Sequence, residues 1–143
     1  MTEISFHTGV PHRLAYACRL LRKATRLGSR VGVTASPEAL AALDAALWTF
    51  EPLEFLPHAV VRPGVAVPVR LQPTPIWLAQ DSADLPHRDV LLNLGREAAQ
   101  GFESFDRVIE LVTADEADLA AGRARWKHYA SRGYAITRHE VLQ

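Results

Sequence analysis

Two short apolar runs, each followed at once by a helix signal, constrain the fold of this chain more than any other feature. Residues 3–7 (Glu-Ile-Ser-Phe-His) predict a strand, closed by Thr8-Gly9-Val10-Pro11, and a helix follows from about residue 11 to 27. Leu14, Ala17, Cys18, Leu21 and Thr25 recur at helical spacing and predict its buried face. Gly28 is placed to end it. Val31-Gly32-Val33-Thr34 predicts a second strand. Ser36-Pro37 then opens a second helix, Ser36 as N-cap and Pro37 at the first helical position, with Leu40, Leu43 and Leu47 facing inward. Strand, helix, strand, helix with short connections is the pattern of a parallel sheet covered by helices.

The rhythm breaks over residues 49–75. Pro52, Pro57, Pro63, Pro68, Pro73 and Pro75 leave little room for helix there, so extended segments and edge strands are expected. Ile76 to Ala79 and Val90 to Leu94 predict further strands, separated by a polar loop from Gln80 to His87. Val108 to Val112 is expected to be the last strand. A final helix from about Ala114 to Arg132 stops at Gly133 and leaves a short tail, Tyr134 to Gln143. The expectation is one α/β domain over residues 1–143, with a central, mostly parallel sheet flanked by helices.

At 143 residues the chain can bury a core without disulfides or metal. Lys plus Arg and Asp plus Glu stand at 16 each, so the bulk charge calls for neither nucleic acid nor anionic lipid. The distribution is uneven. Arg123, Arg125, Lys127, Arg132 and Arg138 face one acid, Glu140, after an acidic stretch of Glu110, Asp115, Glu116 and Asp118. The lone Cys18 excludes an intrachain disulfide and a thiolate cluster, and its apolar surroundings predict a buried, inert thiol. The N-terminus has no basic segment before a long apolar run. No stretch is long and apolar enough to span a bilayer, so a cytoplasmic protein is expected.

Parallel α/β sheets often bind nucleotides, which needs a glycine-rich turn after the first strand so that backbone N–H groups can reach phosphate. The turn here, His7-Thr8-Gly9-Val10-Pro11-His12, holds one glycine and a proline that has no N–H to donate. Neither G-x-G-x-x-G nor G-x-x-x-x-G-K-[ST] occurs. The histidines form no H-x-x-x-H or H-E-x-x-H pair, and no G-x-S-x-G elbow is present. Asp81, Asp84 and Asp89 read as a solvated loop, not a carboxylate cluster. Arg19, Arg22, Lys23 and Arg26 form a basic stripe on the first helix, either a solvated face or a phosphate contact.

Two features fit a solvated surface poorly. Leu47-Trp48, Phe50, Phe55, Leu56 and Pro57 crowd large apolar groups into a proline-broken stretch, as core over the sheet edge or as a patch for a partner. On the last helix, Leu119, Arg123, Trp126 and Ala130 share a face, flanked by Lys127. Trp126 is there either as a core residue or as the aromatic of a pocket. An aromatic beside paired cations suits an acidic peptide with an apolar end, because Arg offers a planar fork to a carboxylate.

The same residues resemble a known family. Leu47-Trp48 followed by Glu54-Phe55-Leu56-Pro57-His58 is similar to the L-W…F-[VL]-P-H segment of the chi subunit of bacterial DNA polymerase III. Arg123-Ala124-Arg125-Trp126-Lys127-His128-Tyr129, ending Arg132-Gly133-Tyr134, resembles that family's last helix and its exit, and the order of elements agrees over nearly the whole chain. The resemblance implies a single Rossmann-like three-layer domain without cofactor, metal or catalysis. It implies an adaptor that joins the clamp loader, through the psi subunit, to the acidic C-terminal tail of single-stranded DNA-binding protein. In some bacteria the psi-facing surface also serves an XPD-like helicase. Nucleic acid would then be met only indirectly.

Carried over by position, Trp48, Phe55, Leu56 and Pro57 fall on the psi or helicase interface. Val112, Arg123, Trp126, Lys127, Gly133 and Tyr134 fall on the tail site, Trp126 standing where tyrosine is usual. Where the family pattern has a lysine one turn before Arg123, this chain has Leu119, a loss for which Arg125 or Lys127 are the expected substitutes. The competing readings are a small nucleotide-dependent enzyme and a direct binder of single-stranded DNA.

Overall fold

A computed structural model describes residues 1–50, 56–71 and 73–141. Seven strands form one sheet: β1 (Glu3–Val10), β2 (Val31–Thr34), β3 (His58–Val60), β4 (Ile76–Ala79), β5 (Val90–Asn93), β6 (Arg107–Thr113) and β7 (Ile136–Glu140). Three helices accompany them: α1 (Arg13–Arg26), α2 (Pro37–Thr49) and α3 (Glu116–Ser131). The strand order is β3-β4-β2-β5-β6-β1-β7, and every pairing is parallel.

Strand alternation divides the core into two layers. Val31, Val33, Ile76, Leu78, Leu92, Ile109 and Leu111 face α1 and α2, meeting Ala17, Cys18 and Leu21 of α1 and Leu40, Leu43 and Leu47 of α2. The intervening Trp77, Leu91, Val108 and Val112, with Ile4 and Phe6 of β1, face the other way, toward Tyr129 of α3. The starts of α2 and α3 follow from their caps. Ser36 Oγ accepts from the Ala39 N–H at 3.2 Å, and the Asp115 carboxylate accepts from the Asp118 N–H at 3.2 Å. Cys18 is buried, and burial raises its thiol above the ordinary value despite nearby Arg19, in keeping with an inert group.

Two expectations change. Residues 136–140 form a strand and not a free tail, so β6 is the last strand but one. β7 carries a single large apolar residue, Ile136, because it is an edge strand with four exposed positions. The backbone ladder to β1 and the contact of Ser5 Oγ with Thr137 Oγ1 at 3.1 Å hold it instead. Leu14 lies on the solvent side of α1, 40% exposed, because the buried stripe begins only at Ala17. Two of the solvated loop aspartates also have local partners. Asp81 accepts from the Ala83 N–H at 2.9 Å to cap a short 3-10 turn, and Asp89 pairs with Arg30 at 2.8 Å.

Candidate functional site

The outer face of α3 and the two strands β1 and β6 beneath it enclose a cavity of about 400 Å³. Its apolar lining comes from Phe6, Val112, Leu119, Gly122 and Trp126, and its polar lining from Thr8, Arg123 and Arg138. Trp126 is half-buried, its ring 5.0 Å from that of Phe6 at an interplanar angle of 53°. Val112 is buried below it. Gly122 makes the depth possible, since a Cβ there would stand 2.8 Å from Val112 Cγ2. Arg123 and Arg138 are exposed, and neither forms an ion pair with a described residue. Arg138 Nε donates to Thr8 Oγ1 at 3.3 Å, which anchors its guanidinium beside the cavity.

Val112, Arg123 and Trp126 are thus brought together, and the other expected residues are not. Lys127 is exposed and does not line the cavity. Gly133, at φ 80°, ends α3 and lets the chain turn toward β7. Tyr134 packs on the far side, its ring 5.2 Å from that of Phe102. Arg125 cannot replace the missing lysine at position 119, because it is buried against Glu110 with its Nε 2.9 Å from Oε1. The cation that joins Arg123 is Arg138, which sequence reasoning missed by leaving residues 134–143 as a tail. Phe6 and Thr8 were missed as well. Only the parallel pairing of β1 with β7 sets them beside α3.

On the opposite face the crowded stretch divides by residue. Leu47 and Leu56 are buried in the core, and Phe50 packs against it, so part of the run closes the sheet edge. Leu56 therefore points inward in the free chain. Trp48 is 57% exposed, its ring 4.8 Å from that of His58. His58 is itself fixed, Nδ1 lying 2.7 Å from the Leu56 carbonyl oxygen and Nε2 2.9 Å from Asp44 Oδ1. Pro57 is half-buried, and Phe55 lies outside the described residues.

At the carboxyl ends of β2, β4 and β5, where α/β sheets usually hold nucleotides, a cavity of about 660 Å³ carries Asp81, Asp84 and Glu97 against one cation, Arg96. That balance repels phosphate. Among the described residues no three His, Cys, Asp or Glu side chains are grouped to hold a metal ion. No described helix is long and apolar enough to cross a membrane.

Residues 1–137 match the family described as DNA polymerase III chi subunit, HolC. The chain belongs to that family. Among curated relatives, it is 34% identical over 147 residues to the DNA polymerase III subunit chi of Pseudomonas aeruginosa, covering 99% of this chain and 98% of the relative. It is 32% identical over 129 residues to the DNA polymerase III subunit chi of Haemophilus influenzae, covering 87% and 85%. As a chi-family chain it is an accessory subunit of the replicative polymerase assembly.

Proposed function

We propose that the chain is a non-enzymatic adaptor that holds the acidic, aromatic-ended C-terminal tail of single-stranded DNA-binding protein in the cavity beneath Trp126. The observation that carries this reading is the pairing of an apolar floor, Phe6, Val112 and Trp126, with two exposed guanidinium groups, Arg123 and Arg138, that form no ion pair with a described residue. The terminal aromatic of the tail enters the floor, and Arg123 meets its carboxylate. Arg138 takes the place of the lysine lost at Leu119. Lys127 contributes only long-range attraction. Gly133 and Tyr134 position the end of α3 without touching the tail.

The second contact is the Trp48 face, with Pro57, which joins psi or an XPD-like helicase and so ties the tail to the clamp loader; Phe55 is assigned to this contact from the family resemblance alone. Its support is the exposure of Trp48 beside the fixed His58. Weak single contacts suffice at the tail site, because several tails on one coat raise the effective concentration.

A fluorescent peptide with the tail's sequence, titrated against wild type, Arg123→Ala and Arg138→Ala, tests the cavity. A charge-assisted hydrogen bond contributes about 1.5–3 kcal/mol, so each substitution should weaken binding by roughly ten-fold or more. Absence of binding at low salt, or equal affinities for all three proteins, overturns the assignment. Trp48→Ala should leave the peptide affinity unchanged and abolish capture by purified psi.

A further inference from the structure

A second cavity, of about 510 Å³, lies between α1 and the strands β1 and β7 on the face of the sheet away from α3. Three cations reach it: Arg19 and Lys23 one turn apart on α1, and Arg107 at the start of β6. All three are exposed, and none makes an ion pair with a described residue. Arg138 borders the groove, but its guanidinium is held by Thr8 on the other face of the sheet. No carboxylate lines the groove. In a chain whose acids and bases balance, this is a segregated positive site, since Arg13, Arg30 and Arg125 are the arginines that take up Asp118, Asp89 and Glu110.

The surroundings register that field. His7 is held down to about 4, first by burial and then by His139, Arg107 and Lys23. At neutral pH it is an uncharged ring, hydrogen-bonded through Nδ1 to the Tyr16 hydroxyl, with ring centroids 5.6 Å apart. The His139 ring stands 5.2 Å from His7 on the other side. Aromatic faces therefore lie among the cations, and the hydroxyls of Ser5 and Thr137 lie at the base.

We propose that this groove binds the backbone of a single strand of nucleic acid, with Arg19, Lys23 and Arg107 meeting successive phosphates. Cations that track a backbone beside rings that bases can stack on are what a single strand requires. Hydroxyls suit phosphate oxygens as further donors. An acidic peptide is the weaker fit, because the groove offers little apolar anchor beyond Leu20, in contrast to the floor under Trp126. The inference does not depend on the tail reading: the two ligands occupy opposite faces of the sheet and share no cation.

Fluorescence anisotropy with a labelled oligothymidine, over a salt series, tests it in wild type and in Lys23→Gln/Arg107→Gln. With three phosphates engaged and a slope of about −0.7 for each, log affinity should fall against log salt with a slope of about −2. The double substitution should weaken low-salt binding by about ten-fold or more and reduce the slope to about −0.7. Both residues are exposed, so the variant's melting temperature should match wild type. Arg123→Ala should leave the oligonucleotide affinity intact, and the double variant should leave tail-peptide affinity intact, which keeps the two sites separable. The proposal is overturned by no oligonucleotide binding at low salt, or by binding that the double substitution does not weaken. It is equally overturned if inorganic phosphate at matched ionic strength displaces the strand, marking a small-anion site. An acidic peptide bound through Lys23 and Arg107 in place of the oligonucleotide has the same consequence.

Discussion

Arg125 Nε stands 2.9 Å from Glu110 Oε1 between α3 and β6, with 2% of one side chain and 0% of the other exposed. The approach is off the angle of a directed hydrogen bond at Nε, so it is a buried ion pair whose remaining polar atoms find other partners. Arg125 donates to the Arg96 carbonyl at 2.8 Å and the Leu111 carbonyl at 3.4 Å. Glu110 accepts from the Tyr129 hydroxyl at 2.6 Å and from Asn93 Nδ2 at 3.0 Å. The network clamps α3 to the sheet directly behind the cavity. Arg125→Met strands a buried carboxylate and should cost about 3–5 kcal/mol in denaturant unfolding. Adding Glu110→Leu should recover only part of that, because Tyr129 then loses its acceptor. A single substitution within about 1 kcal/mol of wild type would mean the pair contributes no clamp.

The pH dependence of stability holds two opposed contributions. Burial raises Glu110 from 4.5 to about 7, against the pull of Arg125, Tyr129 and Asn93. The folded chain therefore binds this proton more readily than the unfolded chain, and stability from Glu110 falls as pH rises from 4.5 to about 7. His7 runs the other way. Its value is lowered from 6.5 to about 4, so its contribution is full above 6.5 and is lost as pH falls through that window. Wild type should be nearly flat between about pH 4.5 and 6.5. His7→Gln should become more stable on acidification and Glu110→Gln less stable, read as melting temperature across the range. Parallel profiles in the two variants would contradict the assignment.

Gly122 is helical, yet alanine is expected to be worse there. The gain in helix propensity is about 1 kcal/mol. Against it, the new Cβ would stand 2.8 Å from Cγ2 and 3.1 Å from Cγ1 of Val112, a short, stiff side chain buried in the core. Overpacking costs about 1–3 kcal/mol, so Gly122→Ala should be net destabilising by about 1 kcal/mol and should weaken tail binding as α3 lifts. Unchanged stability with unchanged peptide affinity would show that Val112 moves aside freely.

Leu119 lines the same cavity one turn before Arg123. Leu119→Lys restores a cation at that point, and one charge-assisted contact contributes about 1.5–3 kcal/mol before the entropy of ordering a lysine is deducted. Tail affinity should rise about three- to ten-fold, with a steeper salt dependence. Isothermal titration with the tail peptide reads both. A weaker complex would mean that the apolar surface of Leu119 is itself part of the peptide contact.

Local sequence determined the elements with strong periodicity and clear punctuation. Ser36-Pro37 started α2, Gly133 ended α3, and the apolar runs at 31–34, 76–79 and 90–94 became central strands, because a strand buried on both faces must be apolar throughout. The pattern of α3 showed that Arg123 and Trp126 share a face, since helical spacing alone decides that. Only the tertiary structure decided what lies opposite them. The strand at 136–140 is polar because one edge of a sheet needs backbone partners more than side-chain burial, so no hydropathy signal announces it. Its docking beside β1 carries Arg138 to the cavity. Glu110 read only as one of an acidic stretch, and Arg125 as one of the basic residues of the last helix. A buried ion pair is a property of two residues 15 positions apart meeting in space, and neither carries a mark of it in its own neighbourhood.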